Sequence, residues 1–352
     1  MNENNEEEKA EDDSLYIERE IVADPKQELL RIDKFLMDRV ANVSRTRVQN
    51  SLRAGAITVN GKQVKPNYKV RPMDKILLVI PKDTSKSEEL IAEDIPLDIR
   101  YEDEHLMVIH KPAGMVVHPG IGNRSGTLVN ALKFYLDKKD IPVMAGNPLN
   151  RPGLVHRIDK DTSGLLVIAK EEFAMTHLGK QFFDHSIERT YQALVWGDVD
   201  AGDHTIHANI GRHPRFRNRQ HVFPDNEEGK DATTHYSLIE NMYYVSLIEC
   251  KLETGRTHQI RVHMQSLHHP IFNDAKYGGD KIVKGTVFSK YKQFVHNTFK
   301  VMPRQALHAK TLAFIHPHTN EKMSFDSELP EDFQATLSRW RNYLSTRKRN
   351  EL

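Results

Sequence analysis

The stretch HRIDKDTSGLLVIAK, His156 to Lys170, sets Asp159 between Arg157 and Lys160 and then runs into apolar residues from Leu165 to Ala169. On charge alone, a surface ion pair is the simpler account of such a carboxylate. Two features shift the balance toward chemistry. Asp159 precedes the turn residues Asp161, Thr162, Ser163 and Gly164, which places it on a loop held by a strand. A second segment, starting near Thr257, offers Arg256 and Arg261, either of which can approach a carboxylate. An aspartate beside a guanidinium stays ionised at neutral pH and can act as nucleophile or electrostatic stabiliser.

The other candidates carry less. The chain has 19 histidines, but His258 and His263 are five apart and His268 and His269 adjacent. There is no HExxH, and no carboxylate completes a site at helical spacing, so no metal is expected in the chemistry. Packing or polar-face roles suit these histidines better. GRHPRFRNRQHV, Gly211 to Val222, interleaves Arg212, Arg215, Arg217 and Arg219 with Phe216. A solvated basic hairpin would look similar, yet guanidinium density around an aromatic suits phosphates and an unstacked base. KPAG, Lys111 to Gly114, reads as a strand-linking turn and no more.

Ahead of these residues lies a small basic unit. Ile32, Phe35, Leu36 and Val40 have helical spacing. Ser44 can cap a second helix carrying Val48 and Leu52, and Gly55 can end it. Ile57 to Val64 predicts a hairpin turning at Asn60-Gly61, and Lys75 to Pro81 a strand. Arg45, Arg47, Arg53, Lys62, Lys65, Lys69 and Arg71 cluster there with few acids between them, which favours RNA contact over a plain solvated face.

Beyond a polar stretch, Lys82 to Asp94, the pattern predicts a strand, a Pro-Ala-Gly turn and a second strand across His105 to Gly120. A helix follows, marked by Leu128, Leu132 and Leu136. Next come a strand at Gly164 to Lys170, a helix at Glu171 to Phe183, and strands at Thr190 to Trp196 and Val245 to Leu252. His258 to Leu267 predicts a helix capped by Thr257, with Ile260, Met264 and Leu267 on one face, and Leu312 to Pro317 a late strand. Strands predominate without regular crossover helices, so the fold class is α+β with a largely antiparallel sheet.

Hydrophobic residues are 38% and charged residues 28%, which marks a globular chain rather than a membrane protein, and the longest apolar runs are too short to span a bilayer. One cysteine, Cys250, excludes a disulfide framework and fits a reducing cytoplasm. Met1 to Ser14 holds seven acids and one base, predicting a disordered acidic tail and leaving the remainder net basic.

With these pieces placed, the sequence resembles the RluA-type pseudouridine synthases, most of all the subgroup acting on large-subunit ribosomal RNA with an N-terminal S4 domain. The matching blocks are HKPAGMVVHPG, GTLVNAL, GLVHRIDKDTSGLLVIAK, ERTYQALVWG, TGRTHQIRVHM and ALHAKTLAFIHP, in the family's order, while Arg31 to Pro81 resembles the S4 module. Composition sets an acidic tail at 1–14 and a linker at 82–94, and the resemblance implies an S4-type RNA-binding domain at 15–81 and the synthase domain at 95–345. It implies that Asp159 is the catalytic aspartate and that Arg157 fills the gap left by the flipped-out uridine. Tyr191 would stack on the base and help remove the C5 proton. Arg261, with Arg256 second, would pair with the aspartate. Ile158 stands where the family usually has Leu, and Arg189 where it often has Lys. The reaction so implied needs no cofactor and no metal. The partner is RNA, ribosomal or within a pre-ribosomal particle, with tRNA as the alternative, and the expected state is a cytoplasmic monomer. The rival readings are a non-catalytic RNA-binding assembly factor and, with Asp159 and Asp161 as its carboxylates, a glycoside hydrolase.

Overall fold

The chain's most buried segments are short, nearly continuous apolar runs, as in Leu106–Lys111 and Ser163–Ala169, and these become strands covered on both faces. The computed structural model describes residues 16–40, 43–81, 90–120, 123–138, 153–225, 227–285 and 288–350. The acidic tail and the greater part of the expected linker lie outside them. The first elements are β1 (Tyr16–Val22), β2 (Leu30–Arg31), α1 (Ile32–Met37), α2 (Arg45–Arg53), β3 (Ile57–Val59), β4 (Lys62–Gln63), β5 (Lys69–Val70) and β6 (Lys75–Pro81). Then come β7 (Asp98–Glu102), β8 (Leu106–Lys111), α3 (Leu128–Lys138), β9 (Ser163–Ala169), α4 (Glu172–Phe183) and β10 (Glu188–Trp196). They are followed by β11 (Asp203–His207), β12 (Asn209–Arg212), β13 (Gln220–Phe223), β14 (Thr233–Asn241), β15 (Val245–Leu252) and α5 (Gln259–Ser266). The last are α6 (Ser289–Val301), β16 (Leu307–Ile315), β17 (Lys322–Asp326) and α7 (Glu331–Asn350). Among the described residues no helix is long and apolar enough to cross a membrane.

Two units divide the chain. One holds Leu15–Tyr191 and His308–Pro330; the other holds Gln192–Leu307 and the C-terminal stretch from Glu331. In the first, α1 and α2 pack Ile32, Phe35, Leu36, Val48 and Leu52 against Ile57, Val59, Ile76 and Leu78. Ser44 Oγ accepts the Arg47 N–H at 3.2 Å and caps α2. Asn60 and Gly61 both have positive φ, 49° and 75°, as the two-residue hairpin requires. β1, which the sequence pattern did not single out, pairs with β6 from Tyr16↔Pro81 to Val22↔Lys75. This small module rests on α4: Arg47 Nε lies 3.3 Å from Glu172 Oε1, and a Cβ on Gly179 would meet the Tyr16 ring at 2.5 Å.

The same unit carries a sheet in the order β7-β8-β9-β16, with β17 on β16. β8 is antiparallel to β7 and β9, while β9 and β16 run parallel at His308↔Ser163 and Ala309↔Gly164. Leu106, Val108, Leu165, Val167, Leu312 and Phe314 bury one face of it against Ala174, Met175 and Leu178 of α4. The strand expected after the Pro-Ala-Gly turn does not form. The carbonyls of Val116 and Val117 instead accept the Leu128 and Val129 N–H groups at 2.8 and 3.1 Å, meeting the open donors at the start of α3.

In the second unit β14 pairs antiparallel with β11 and β15, and β12 with β13 as a separate hairpin. α5 starts one residue later than expected. His258, at φ 56°, is its N-cap and Thr257 is not. Ile260 and Met264 are buried, whereas Leu267, past the helix end, is 37% exposed.

Candidate active site

The loop bearing Asp159 is held from three sides. His156 accepts the Val167 N–H on Nε2 at 3.0 Å and stacks on Phe182, which fixes the loop to the middle of β9. Burial first, and the Arg189 charge second, push His156 down to about 3, so the ring is neutral and accepts as observed. At the loop's far end the Thr162 N–H donates to the Asp159 carbonyl at 3.1 Å. Gly164 then enters β9 at φ 121°; a Cβ there would sit 2.2 Å from the Ala309 carbonyl oxygen, so only glycine lets β16 approach this closely. Ser163 Oγ bonds His308 Nδ1 at 2.9 Å, and His308 Nε2 bonds Ser327 Oγ at 2.9 Å.

Lys111 supplies the third hold. It is fully buried, and its ammonium donates to the carbonyls of Pro112, Met115 and Lys160 at 2.7, 2.9 and 2.9 Å. The Lys160 carbonyl also accepts the Gly114 N–H at 3.0 Å. KPAG is therefore more than a strand-linking turn: it clasps the backbone immediately after Asp159. Its sequence gave no sign of this, because the partner is a main-chain oxygen 49 residues away.

On this loop the side chains alternate. Ile158 is buried, Arg157 and Lys160 are exposed, and Asp159 is half-buried between them. Tyr191, on β10, is buried. Its phenol is pushed up, first by burial and further by the Asp159 charge, with the Arg189 charge opposing both. Arg189 is itself buried, with its guanidinium 5.3 Å over the Phe182 ring and Nε without a hydrogen-bond partner. Burial holds its pKa below the usual arginine range. A carboxylate, an aromatic hydroxyl and a buried cation thus share one locality, with an exposed arginine beside the carboxylate.

In the second unit Arg261 is buried and grips Asp274 in bidentate fashion, Nε to Oδ2 at 2.7 Å and Nη2 to Oδ1 at 2.9 Å. Asp274, thirteen residues on, escaped notice because no local spacing links the two. Arg256 is half-buried and donates from Nε to the Asp231 carbonyl at 2.9 Å. Arg212, Arg215, Arg217 and Arg219 are exposed on the β12–β13 hairpin, and Phe216 at its tip is 55% exposed with Arg219 5.5 Å over its ring. In the small N-terminal module the basic cluster is partly engaged. Arg45 pairs with Asp33 at 3.1 Å and Arg47 with Glu172, while Arg53 and Lys62 are exposed. Asp33, fully buried, is held well below the usual carboxylate range, chiefly by its hydrogen bond from Arg31, with Gln49 and Arg45 adding to it against the effect of burial.

Comparison with known proteins shows the family. A family model described as RNA pseudouridylate synthase matches residues 105–266, and one described as S4 domain matches residues 30–76. An RNA pseudouridine synthase of Chlorobaculum parvum is 46% identical over 317 residues, 90% of this chain and 95% of that protein. Ribosomal large subunit pseudouridine synthase D of Zymomonas mobilis is 42% identical over 306 residues, 86% of this chain and 92% of that protein. The structure of human RNA pseudouridylate synthase domain containing 4 shares the fold, with a TM-score of 0.51 at 23% identity, covering 69% of this chain and 92% of its own. The loop that carries Asp159 thus lies inside a matched synthase region, and the chain belongs to the RNA pseudouridylate synthase family, with an S4 domain ahead of the synthase fold.

Proposed function

We propose that this protein isomerises uridine to pseudouridine in large-subunit ribosomal RNA, with Asp159 as the catalytic carboxylate. The observation that carries the reading is Asp159 itself, half-buried on a loop clasped by Lys111 and His156 and close enough to the buried Tyr191 to act on its ionisation. The substrate class is supported by the similarity to a large-subunit synthase over most of both chains.

The chemistry breaks the uridine N1–C1′ bond, turns the base and joins C5 to C1′, with no net redox change. Extruding the base from its stack costs a few kcal/mol. The exposed Arg157 can occupy the vacated space and offset part of that cost. Asp159 then acts at C1′, or on the sugar proton beside it, and Tyr191 takes part in removing the C5 proton. For Arg261 the support is its motif, TGRTHQIRVHM, together with the Asp274 grip that fixes its guanidinium. Arg256 is the reserve candidate. Arg53, Lys62 and the exposed arginines of the β12–β13 hairpin supply phosphate contacts, in an S4-type domain at 15–81 and a synthase domain at 95–345. The protein works as a monomer in the cytoplasm; its one cysteine, the buried Cys250, supports the compartment only.

The test is tritium release from RNA labelled at uridine C5. Asp159→Asn keeps shape and loses charge; it should abolish release while RNA affinity stays within about twofold. A wild-type protein that binds RNA but releases no tritium from any ribosomal substrate would leave a binding module only.

A further inference from the structure

Three elements far apart in sequence converge at the other end of β8 from the Lys111 clasp, roughly 20 Å away. His105 immediately precedes β8, Glu171 is the N-cap residue of α4, and His318 lies in the turn between β16 and β17. His105 Nδ1 is 2.8 Å from Glu171 Oε1, and His318 Nε2 bonds the same oxygen. All three atoms lie within 4.8 Å of one another. The two imidazole rings stack at 3.7 Å.

The surroundings look built for this convergence. Glu171, at the N-cap position of α4, makes no hydrogen bond to its own helix. Its side chain is turned to the histidines instead. The backbones of both histidines are fixed by one hydrogen-bonded pair, buried His316 and half-buried Asp103. Asp103 Oδ1 accepts the His105 N–H at 2.7 Å and the Leu106 N–H at 2.8 Å. His316 Nδ1 accepts the N–H groups of His318 and Thr319 at 3.3 and 3.1 Å, so its proton sits on Nε2 and is donated to Asp103 Oδ2 at 2.9 Å. The adjacent Lys170 ammonium is held by Glu102 at 2.8 Å. An open cleft lined by Asp103, His105, His316 and Thr319 gives solvent access to the group.

We propose that His105 Nδ1, His318 Nε2 and Glu171 Oε1 form a binding site for a divalent transition-metal ion such as Zn2+, with water in the fourth position. Two imidazoles and one carboxylate are an established donor set for such ions. Tetrahedral coordination places ligand atoms about 3.3 Å apart, so binding requires Glu171 Oε1 to draw back from both nitrogens and the exposed His318 ring to turn out of its stack on His105, bringing both in-plane lone pairs onto the ion. The Asp103–His316 pair fixes the main chain of both histidines and leaves their rings free to turn. The ion ties β8, α4 and the β16–β17 turn together; it lies too far from Asp159 to take part in the isomerisation. The sequence could not announce it, since its ligands are separated by 66 and 147 residues.

The experiment uses the full chain, stripped with a chelator and titrated calorimetrically with ZnCl2, then with CoCl2 followed by absorption. Wild type should bind one Zn2+ more tightly than the background from its remaining histidines, give a tetrahedral cobalt spectrum, and melt at higher temperature when loaded. His318→Asn, at an exposed turn position, and Glu171→Gln should each weaken that one site by at least about tenfold and lose the cobalt spectrum. Tritium release should be the same with and without the chelator. Equal titrations for wild type and both variants, or no site in wild type above the background, would overturn the proposal.

Discussion

Replacing His156 by Gln should make the protein less sensitive to acid. In the folded chain the imidazole is buried beside the Arg189 cation and its pKa is pushed down to about 3, against 6.5 for an unperturbed histidine. The unfolded state therefore binds a proton that the folded state refuses. Its contribution to stability is fully present above pH 6.5 and is lost as pH falls toward 3. Between pH 7.5 and 4.5 the loss is about 3 kcal/mol from this one residue. His263 is also buried, with a pKa of about 4, and adds a similar amount in the same direction. The two together approach the whole stability of a marginal domain. Carboxylates such as Asp33, Asp74 and Asp103, whose pKa values are lowered, enter only below this window. A Gln side chain keeps an acceptor for the Val167 N–H but does not titrate. Urea unfolding at pH 7.5 and 4.5 should show the wild type losing about 3 kcal/mol more than His156→Gln between the two conditions. The variant's own packing cost cancels in that difference, and His263 contributes equally to both proteins. An identical loss in both would mean that His156 is not the neutral, buried acceptor described above.

Two further predictions concern the loop and its neighbour. Lys111→Met should destabilise the protein by about 3 kcal/mol, since three part-buried carbonyls lose a charged donor, and should lower kcat at least about tenfold with KM for RNA little changed; an unaltered kcat in a folded variant would dismiss the clasp. Asp159→Asn should lower the pKa of the Tyr191 phenol, read by ultraviolet titration against a Tyr191→Phe control, and a phenol that titrates as in wild type would disconnect the two residues.

Much of the fold was legible because its signals are local. Ser44, Asn60-Gly61 and the spacing of Leu128, Leu132 and Leu136 each act within a few residues, and each element formed where those residues placed it. The strand expected after Gly114 failed for a non-local reason: the start of α3 takes its carbonyls. β1 went unnoticed because its partner, β6, lies more than fifty residues on. The site divides the same way. Asp159, Arg157 and Tyr191 stand in contiguous motifs. What holds them does not: Lys111 acts on a distant carbonyl, Asp274 on Arg261 across a loop, and Phe182 under both His156 and Arg189 from another helix.

The charges around Tyr191 have a direction in time as well as in space. At rest, burial and the Asp159 carboxylate keep the phenol protonated, and Arg189 only partly opposes them. Bond formation from Asp159 to C1′ would neutralise the carboxylate, and so would transfer of a sugar proton to it. Either route removes one of the influences holding the phenol up, while the buried Arg189 cation stays where it is. In the proposed reaction that relief lasts only while the carboxylate is neutral: joining C5 to C1′ breaks the Asp159–C1′ bond, and return of the sugar proton likewise restores the charge, before the C5 proton leaves. Burial keeps His156 neutral beside that cation, so Arg189 is the charge that opposes Asp159 at the phenol.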